Sequence, residues 1–541
     1  MAKGYRPVDR DQPFLFPPDM REWLPVDHPV WLVISVVEGH LDTSVFHAGR
    51  KTGGAGAAGY DPDMLVTVLV WAYAHGVTSS REIERLCGTD VAFRVICGGN
   101  LPDHCTVARF RGDFPGAVAG FFTQVLVLCA RLGMGRVGTV ALDGMKIAAS
   151  ASKAANRAEE GLAKLAGEMV AAHAAADAAE DELFGAGRRG DEVPEAVWSP
   201  RSRDERIRAA LADLEAERRA AQAAEDARVR AYRDRLAAGD HAGCPPASAA
   251  VELAEENLAR VRAARAAQLA GLEERYAAGQ PRRARPAGID DYCRVRQAEA
   301  KVAATRARAA RAARKAAART GPGPVRNVTD PDSRLMPVRG GGFIQGYNTQ
   351  NVVSADKLVM ATELTGDPVD CGWFEPMLAR ARDAAALIAA NRPASGGQDG
   401  GAADWGGIEL ALADAGYCSE ANLTCPGPDR LIAVAKRRDL ETAARGQDAR
   451  QDAGQDWGGP AIRAMRERLK TEEGIAAYRQ RGHIAETPHG QIKHNMGIRQ
   501  LSMRGKPKAS AEWTFICAVH NLFKALTTGH LTSHALAALT G

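Results

Sequence analysis

Between residues 151 and 324 the chain is written mainly in alanine, arginine and glutamate, with almost no large apolar side chains. Such text forms helices readily, because alanine, arginine and glutamate lose little on entering one. It cannot build a substantial core, since alanine seams bury little area. ERIRAALADLEAERRAAQAAEDARVRAYRDRLAA and AVELAEENLARVRAARAAQLAGLEERYAA therefore predict long helices packed as a hairpin or coiled coil. CPPAS and the Gly/Pro-rich stretch 183–203 interrupt them. The 541-residue chain must find its main core elsewhere, and its length calls for two or three compact units.

That core is spelled on both sides of the helical stretch. GTVALDG before it reads as a strand, and GGFIQGYNTQNVVS with KLVMATELTG after it read as an antiparallel pair joined near Ala355 and Asp356. WFEPMLARARDAAALIAAN reads as a helix, and IELALAD and RLIAVAKRR as two more strands. The order is that of an α/β domain with a helical insertion. The segments 394–407 and 444–459 have loop composition.

Residues 1–130 read as mainly helical, with Pro17, Pro18, Pro62, Gly98 and Gly99 as punctuation. The stretch from Thr78 to Phe114 predicts two or three short helices. Thr78, Ser79 and Ser80 offer N-caps, and Glu82 stands where a capping-box partner of Ser79 would be. Exposed Arg81, Arg85, Arg94, Arg109 and Arg111 on such helices suit DNA contact by a helix-turn-helix-like unit, with a solvated bundle as the alternative. From residue 460 the text returns to helix, and Trp513, Ile516, Cys517 and His520 mark an apolar face toward the core.

Charge gives no global drive toward nucleic acid, with 70 basic against 66 acidic residues, so any DNA surface must come from clustering. Two clusters stand out. Lys301–Arg319 carries seven basic residues and no acid, and Lys493, Arg499, Arg504, Lys506 and Lys508 form a second run. The ten cysteines include no Cys-x-x-Cys pair, so they read as reduced thiols rather than a zinc ribbon. The opening MAKGYRPVDRDQPFLFPPDM is polar and broken by proline, unlike a signal peptide, and no apolar run reaches membrane-spanning length. A cytoplasmic, nucleoid-associated protein is expected.

Three acids carry the chemistry. Asp143 follows Val137, Val140 and Leu142 and precedes Gly144, and Asp414 repeats the arrangement after Ile408, Leu410 and Leu412. Each carboxylate is expected at a strand's end. Glu486 lies in YRQRGHIAETPHGQIKHNMGIRQLSMRG, with Lys493 seven residues on, about two helical turns away on the same face. Pro488 is expected to kink that helix or to begin it near Glu486. His483, His489 and His494 match no standard zinc spacing and read as DNA or solvent contacts, while Asp330 and Asp332 read as turn residues.

These motifs resemble those of bacterial insertion-sequence transposases of the DDE class. Asp143-Gly144 matches the family's Asp-Gly after the first strand, and Asp414, Gly416 and Tyr417 match its Asp-x-Gly-Tyr. Tyr478, Arg481, Glu486 and Lys493 match the Tyr, Arg, Glu and Lys of its third block, with four residues between Arg481 and Glu486 where the pattern has three. The segment 330–350 is similar to the family's approach to its second strand.

The resemblance implies a ribonuclease H-like mixed sheet flanked by helices, with an N-terminal helical domain (1–130) that would contact DNA. The catalytic domain would span 131–150 and 325–541, and a coiled-coil-like insertion 151–324. It implies DNA cleavage and strand transfer at insertion-sequence ends, with Asp143, Asp414 and Glu486 holding two Mg²⁺ ions, or Mn²⁺ as a substitute. Tyr478, Arg481, Lys493, Arg499 and Arg504 would contact DNA. The partners implied are double-stranded DNA, as terminal inverted repeats and target, and a second copy in a homodimer, with no membrane. A hydrolytic nuclease on the same fold and a non-catalytic DNA-binding scaffold remain as alternatives.

Overall fold

Val140 and Leu142 turn to one face of their strand, and Ala141, Met145 and Ile147 to the other, all of them buried. This alternation over apolar residues makes β1 (Thr139–Ala148) the centre of a sheet covered on both sides. The computed structural model describes residues 19–48, 59–168, 171, 203–238, 244–281, 286–318, 324–338, 341–393, 406–434 and 459–540. The loops read at 394–407 and 444–459, the stretch 183–203 and Arg319 lie wholly or mostly outside them.

The described residues form two compact units, 1–156 with 327–541, and 157–326. Two short strands, β2 (Asn156–Ala158) and β3 (Val325–Asn327), pair in a sheet of their own, and the strands that join β1 are β4 (Arg334–Pro337), β5 (Phe343–Ser354), β6 (Val359–Thr365), β7 (Leu410–Ala413) and β8 (Asp429–Ile432). The sheet runs β4-β5-β1-β7-β8, with β6 also paired to β5. β5 is antiparallel to β1 and β6, while β7 and β8 run parallel to β1. The turn at Ala355–Lys357 joins β5 to β6 where the sequence places it, and Lys357 takes a positive φ of 73° there. This is the expected mixed α/β architecture.

Helices cover both faces. Val140, Leu142, Val352 and Ile432 pack with the helices Val118–Arg131 and Phe374–Asn391. Ala141, Val353, Leu412 and Leu431 pack with Pro460–Arg468 and Glu472–Gly490. Met145 and Ile147 join a core shared by the N-terminal helices and by Lys506–Thr527. In that last helix Trp513, Ile516 and Cys517 are fully buried, as its apolar face predicts, and burial of this kind contributes roughly 2 kcal/mol per large side chain. The N-terminal helices Pro62–Ala74, Ser80–Thr89, Val91–Cys97 and His104–Gly112 thus rest on the same core as the sheet.

Two local expectations change. Ser79 is the N-cap of Ser80–Thr89 but makes no side-chain capping bond, and the Glu82 side chain, which would complete the box, pairs with Arg85 instead, at 2.9 Å from its Nε. Pro488 neither starts nor ends its helix. Glu472–Gly490 runs through it and then widens into a π-helical turn, Gln491–Asn495. The regular two-turn spacing from Glu486 to Lys493 is lost there.

Unit 2 contains the helices Arg203–Ala237, Ala250–Ala277 and Cys293–Ala318. The last two are linked by Arg262–Glu299 and Arg306–Glu255, at 2.5 and 2.6 Å. Arg265 is buried and stacks 4.4 Å from the Tyr292 ring. Among the described residues no helix is long and apolar enough to cross a membrane.

Candidate active site

The parallel pairing of β7 with β1 matches Ala141 to Leu412, so Asp414, one residue past the end of β7, comes level with Asp143. Asp143 is therefore not at the end of its own strand, as the sequence suggested. It sits mid-strand, opposite Asn351 of β5, at the point where its other neighbour stops. The end of β7 opens the gap that its carboxylate uses. Alternation turns Asp143 toward the Glu472–Gly490 helix.

That helix buries Arg481, Ile484, Ala485, Pro488 and His489, an i, i+3, i+4, i+7, i+8 stripe. The stripe carries two polar groups to Asp143. Arg481 Nη2 donates to Asp143 Oδ1 at 2.9 Å and lies 3.7 Å from Asp414 Oδ2, while its Nη1 is 3.8 Å from Glu486 Oε1. One guanidinium thus gathers all three acids. Their side chains are 13%, 32% and 62% exposed, respectively, so Glu486 is the least enclosed. The extra residue between Arg481 and Glu486 explains this, since it carries the acid about 100° further round the helix.

His489, expected as a DNA or solvent contact, is instead buried, with Nδ1 3.5 Å from Asp143 Oδ2 and Nε2 3.0 Å from Asn351 Nδ2. The stripe spacing was the signal for it, as Arg481 and His489 stand eight residues apart around Ile484 and Ala485. Burial pushes the Asp143 carboxyl up, but His489 and Arg481 outweigh it and hold the group below the usual carboxylate range. Asp414 goes the other way. Burial raises it, with Asp143 and Asp370 adding repulsion that Arg481 only partly offsets.

Asp370, in the loop after β6, was not singled out in the sequence. Its Oδ1 accepts from Asn348 Nδ2 at 2.6 Å, Gln350 Nε2 at 2.7 Å and Lys146 Nζ at 3.2 Å. Gln350 in turn accepts from the Tyr417 hydroxyl, which fixes the turn following Asp414. In that turn Gly416 N donates to Asp414 Oδ1 at 2.9 Å. Gly144 makes room for this hub, as a Cβ there would stand 2.6 Å from Asp370 Oδ1 and 2.9 Å from Gln350 Nε2. The Asp-Gly pair is thereby explained: the acid faces one side of β1, and the missing side chain admits Asp370 on the other.

The remaining expected residues are spread along β1. The Tyr478 hydroxyl donates to Ala413 O at 3.2 Å, so it braces the end of β7. Lys493 Nζ donates to Lys146 O at 3.1 Å, and burial together with Arg499 pushes its pKa down. Arg499 is exposed, and Arg504 Nε donates to Ser150 O at 3.0 Å. Asp330 accepts from the Tyr347 hydroxyl at 2.9 Å and Asp332 from Lys506 N at 2.7 Å.

Asp143, Asp414 and Glu486 offer only hard oxygen donors around one cationic group, a donor set that fits Mg²⁺ or Mn²⁺ and not a zinc site. They are spread around the guanidinium. Among the described residues only His47, Asp61 and Asp63 bring three such ligand atoms within 4.8 Å of one another.

A family model described as a transposase domain (DUF772) matches residues 18–113, and one described as a transposase DDE domain matches residues 453–526. The second match contains Arg481 and Glu486, while Asp143 and Asp414 lie outside both. No curated protein and no solved structure matches the chain. With a transposase model matched in each half, the two matches support an insertion-sequence DDE transposase.

Proposed function

We propose that the protein cleaves DNA at the ends of its insertion sequence and joins them to a target, with Asp143, Asp414 and Glu486 as the metal-holding acids. The observation that carries this is Arg481, a single cation meeting acids from β1, the end of β7 and the Glu472–Gly490 helix at 2.9, 3.7 and 3.8 Å. The strand order β6-β5-β1-β7-β8, antiparallel and then parallel about β1, supports a ribonuclease H-like catalytic domain. Residues 157–326 form the helical insertion within it, and the N-terminal helices are a DNA-contacting part.

Bound at these acids, divalent ions supply Lewis-acid stabilisation of the phosphate and an activated hydroxyl nucleophile. The chain's own groups prepare for this. Arg481 and His489 keep Asp143 ionised, and Asn351 orients the His489 ring. Asp370, through Gln350 and Tyr417, fixes the turn that presents Asp414. Lys493 and the exposed Arg499 and Arg504 offer positive charge for the DNA backbone. Two ends must be brought together, which a homodimer accomplishes most simply.

The test is a Mg²⁺-dependent assay on DNA carrying the sequences that flank the gene. End cleavage with joining is expected, and Asp143→Asn should lower it about a thousandfold or more while end binding persists. Cleavage without joining would assign a hydrolytic nuclease, and binding without cleavage a scaffold.

A further inference from the structure

Beyond the carboxylates, unit 1 has an open groove of about 490 Å³. Thr78–Arg81 form one side, Ser150 with Gln500–Ser502 the other, and His104 and Arg111 complete the lining. No carboxylate is among these residues. Resting on the transposase reading, we propose that this groove grips the sugar-phosphate backbone of the same duplex, about five base pairs from the scissile phosphate.

The chemistry of the lining selects the ligand. Arg81 is exposed, and the Ser79 hydroxyl makes no bond to the helix it precedes, which leaves donors at the start of Ser80–Thr89 turned outward. Arg111 is held by the Thr78 carbonyl and by the Tyr73 hydroxyl at 3.2 Å, and its buried Nε has no partner. Arg81 and the start of Ser80–Thr89 offer donors for phosphate oxygens, while the acids next to the lining are engaged, Glu84 with His104 Nδ1 at 2.8 Å and Glu512 with Ser502.

The two sides are locked to each other in advance. Tyr73 donates to Glu512 Oε1 at 2.8 Å, and Glu512 Oε2 accepts from Ser502 N and Met503 N at 2.9 and 2.8 Å. The Arg111 side and the Ser502 side therefore share one buried acid, so the groove is formed before any ligand arrives.

Its position follows from β1. Gln500 bridges to Ala148, five residues along the strand from Asp143, a separation of about 16 Å at about 3.3 Å per residue. At about 3.4 Å per base pair this is about five pairs of duplex. Lys493 on Lys146 O and Arg504 on Ser150 O lie along that line and place basic groups between the acids and the groove.

The experiment uses the full chain and a 30-base-pair duplex of arbitrary sequence, of about 100 Å, with anisotropy read across a KCl series. Arg81→Ala should weaken binding about fivefold and reduce the log–log salt slope by about 0.9, because one phosphate is no longer neutralised. Ser80→Asp should weaken it further while leaving the melting temperature unchanged or higher, because an acid in the first turn favours the helix and repels phosphate. Wild-type affinity and slope in both variants would overturn the groove, whatever the cutting assay gives. A wild-type chain that binds this duplex but never cuts DNA carrying the sequences that flank the gene would remove the transposase reading, and the two variants would still decide the groove.

Discussion

Arg481 and Asp143, 338 residues apart in sequence, are joined by a 2.9 Å hydrogen bond in which both partners are nearly buried. The pair links the central strand to the helix that supplies Glu486. A buried ion pair is weak evidence for stability in itself, but removing one partner leaves the other uncompensated. Arg481→Met should therefore cost about 3 kcal/mol in urea unfolding with EDTA present, as well as cleavage. A loss below about 0.5 kcal/mol, the range of an ordinary surface change, would show that the guanidinium does not anchor the site.

The two aspartates should respond oppositely to pH in metal-free protein. Asp143 has its folded pKa depressed, so its contribution is present above the unfolded value and disappears as pH falls through the folded one. Asp414 has its folded pKa raised, so its contribution exists below the unfolded value and is lost as pH rises through the folded one. At neutral pH Asp143→Asn should thus lower the urea midpoint and Asp414→Asn should raise it. The Asp414 difference should shrink as the pH falls toward the ordinary carboxylate range, whereas the Asp143 difference should persist down to that range and be lost only below it. Midpoints measured with EDTA from pH 4 to 8 check this, and shifts of the same sign would refute the assignment.

Gly144→Ala tests the Asp370 hub. A Cβ at 2.6 Å from Asp370 Oδ1 cannot be relieved by a small swing, because that oxygen already holds three donors. We expect a loss of about 2 kcal/mol and slower cleavage, since Gln350 and Tyr417 must shift with it. Asp370→Ala combined with Gly144→Ala should recover part of the stability, which a thermal denaturation cycle measures.

In unit 2, Lys301, Arg308, Arg311, Arg314 and Lys315 are exposed on one helix, and Arg306 is engaged by Glu255. Replacing Arg308, Arg311, Arg314 and Lys315 with alanine should reduce the salt dependence of DNA binding. An unchanged slope would make the helix a solvated surface.

The strands, the helix at 374–391 and the helical insertion were legible because each has the period or composition of its element. Asp143 and Asp414 were legible because an acid followed by glycine, or by Ala-Gly, interrupts apolar text. What sequence could not supply was which strand ends beside which. The level of Asp414 with Asp143 depends on the pairing of Ala141 with Leu412, across the whole insertion. Asp370 was missed for the same reason, since all its partners come from β1 and β5. His489 was missed by weighing metal spacing, when its place on the stripe with Arg481 was the relevant period.

Where the chain leaves β1 for the insertion and returns, Asn327 Nδ2 donates to Asn156 Oδ1 at 2.9 Å and to Ser152 O at 2.7 Å, and Asn156 Nδ2 donates to Gln345 Oε1 at 2.9 Å. These bonds hold the two exits side by side, as a buckle holds a strap. A change in the length of 157–326 can then leave Asp143 and Asp414 where they are, because the strands that carry them meet their spacing requirement at the buckle and not through the strap.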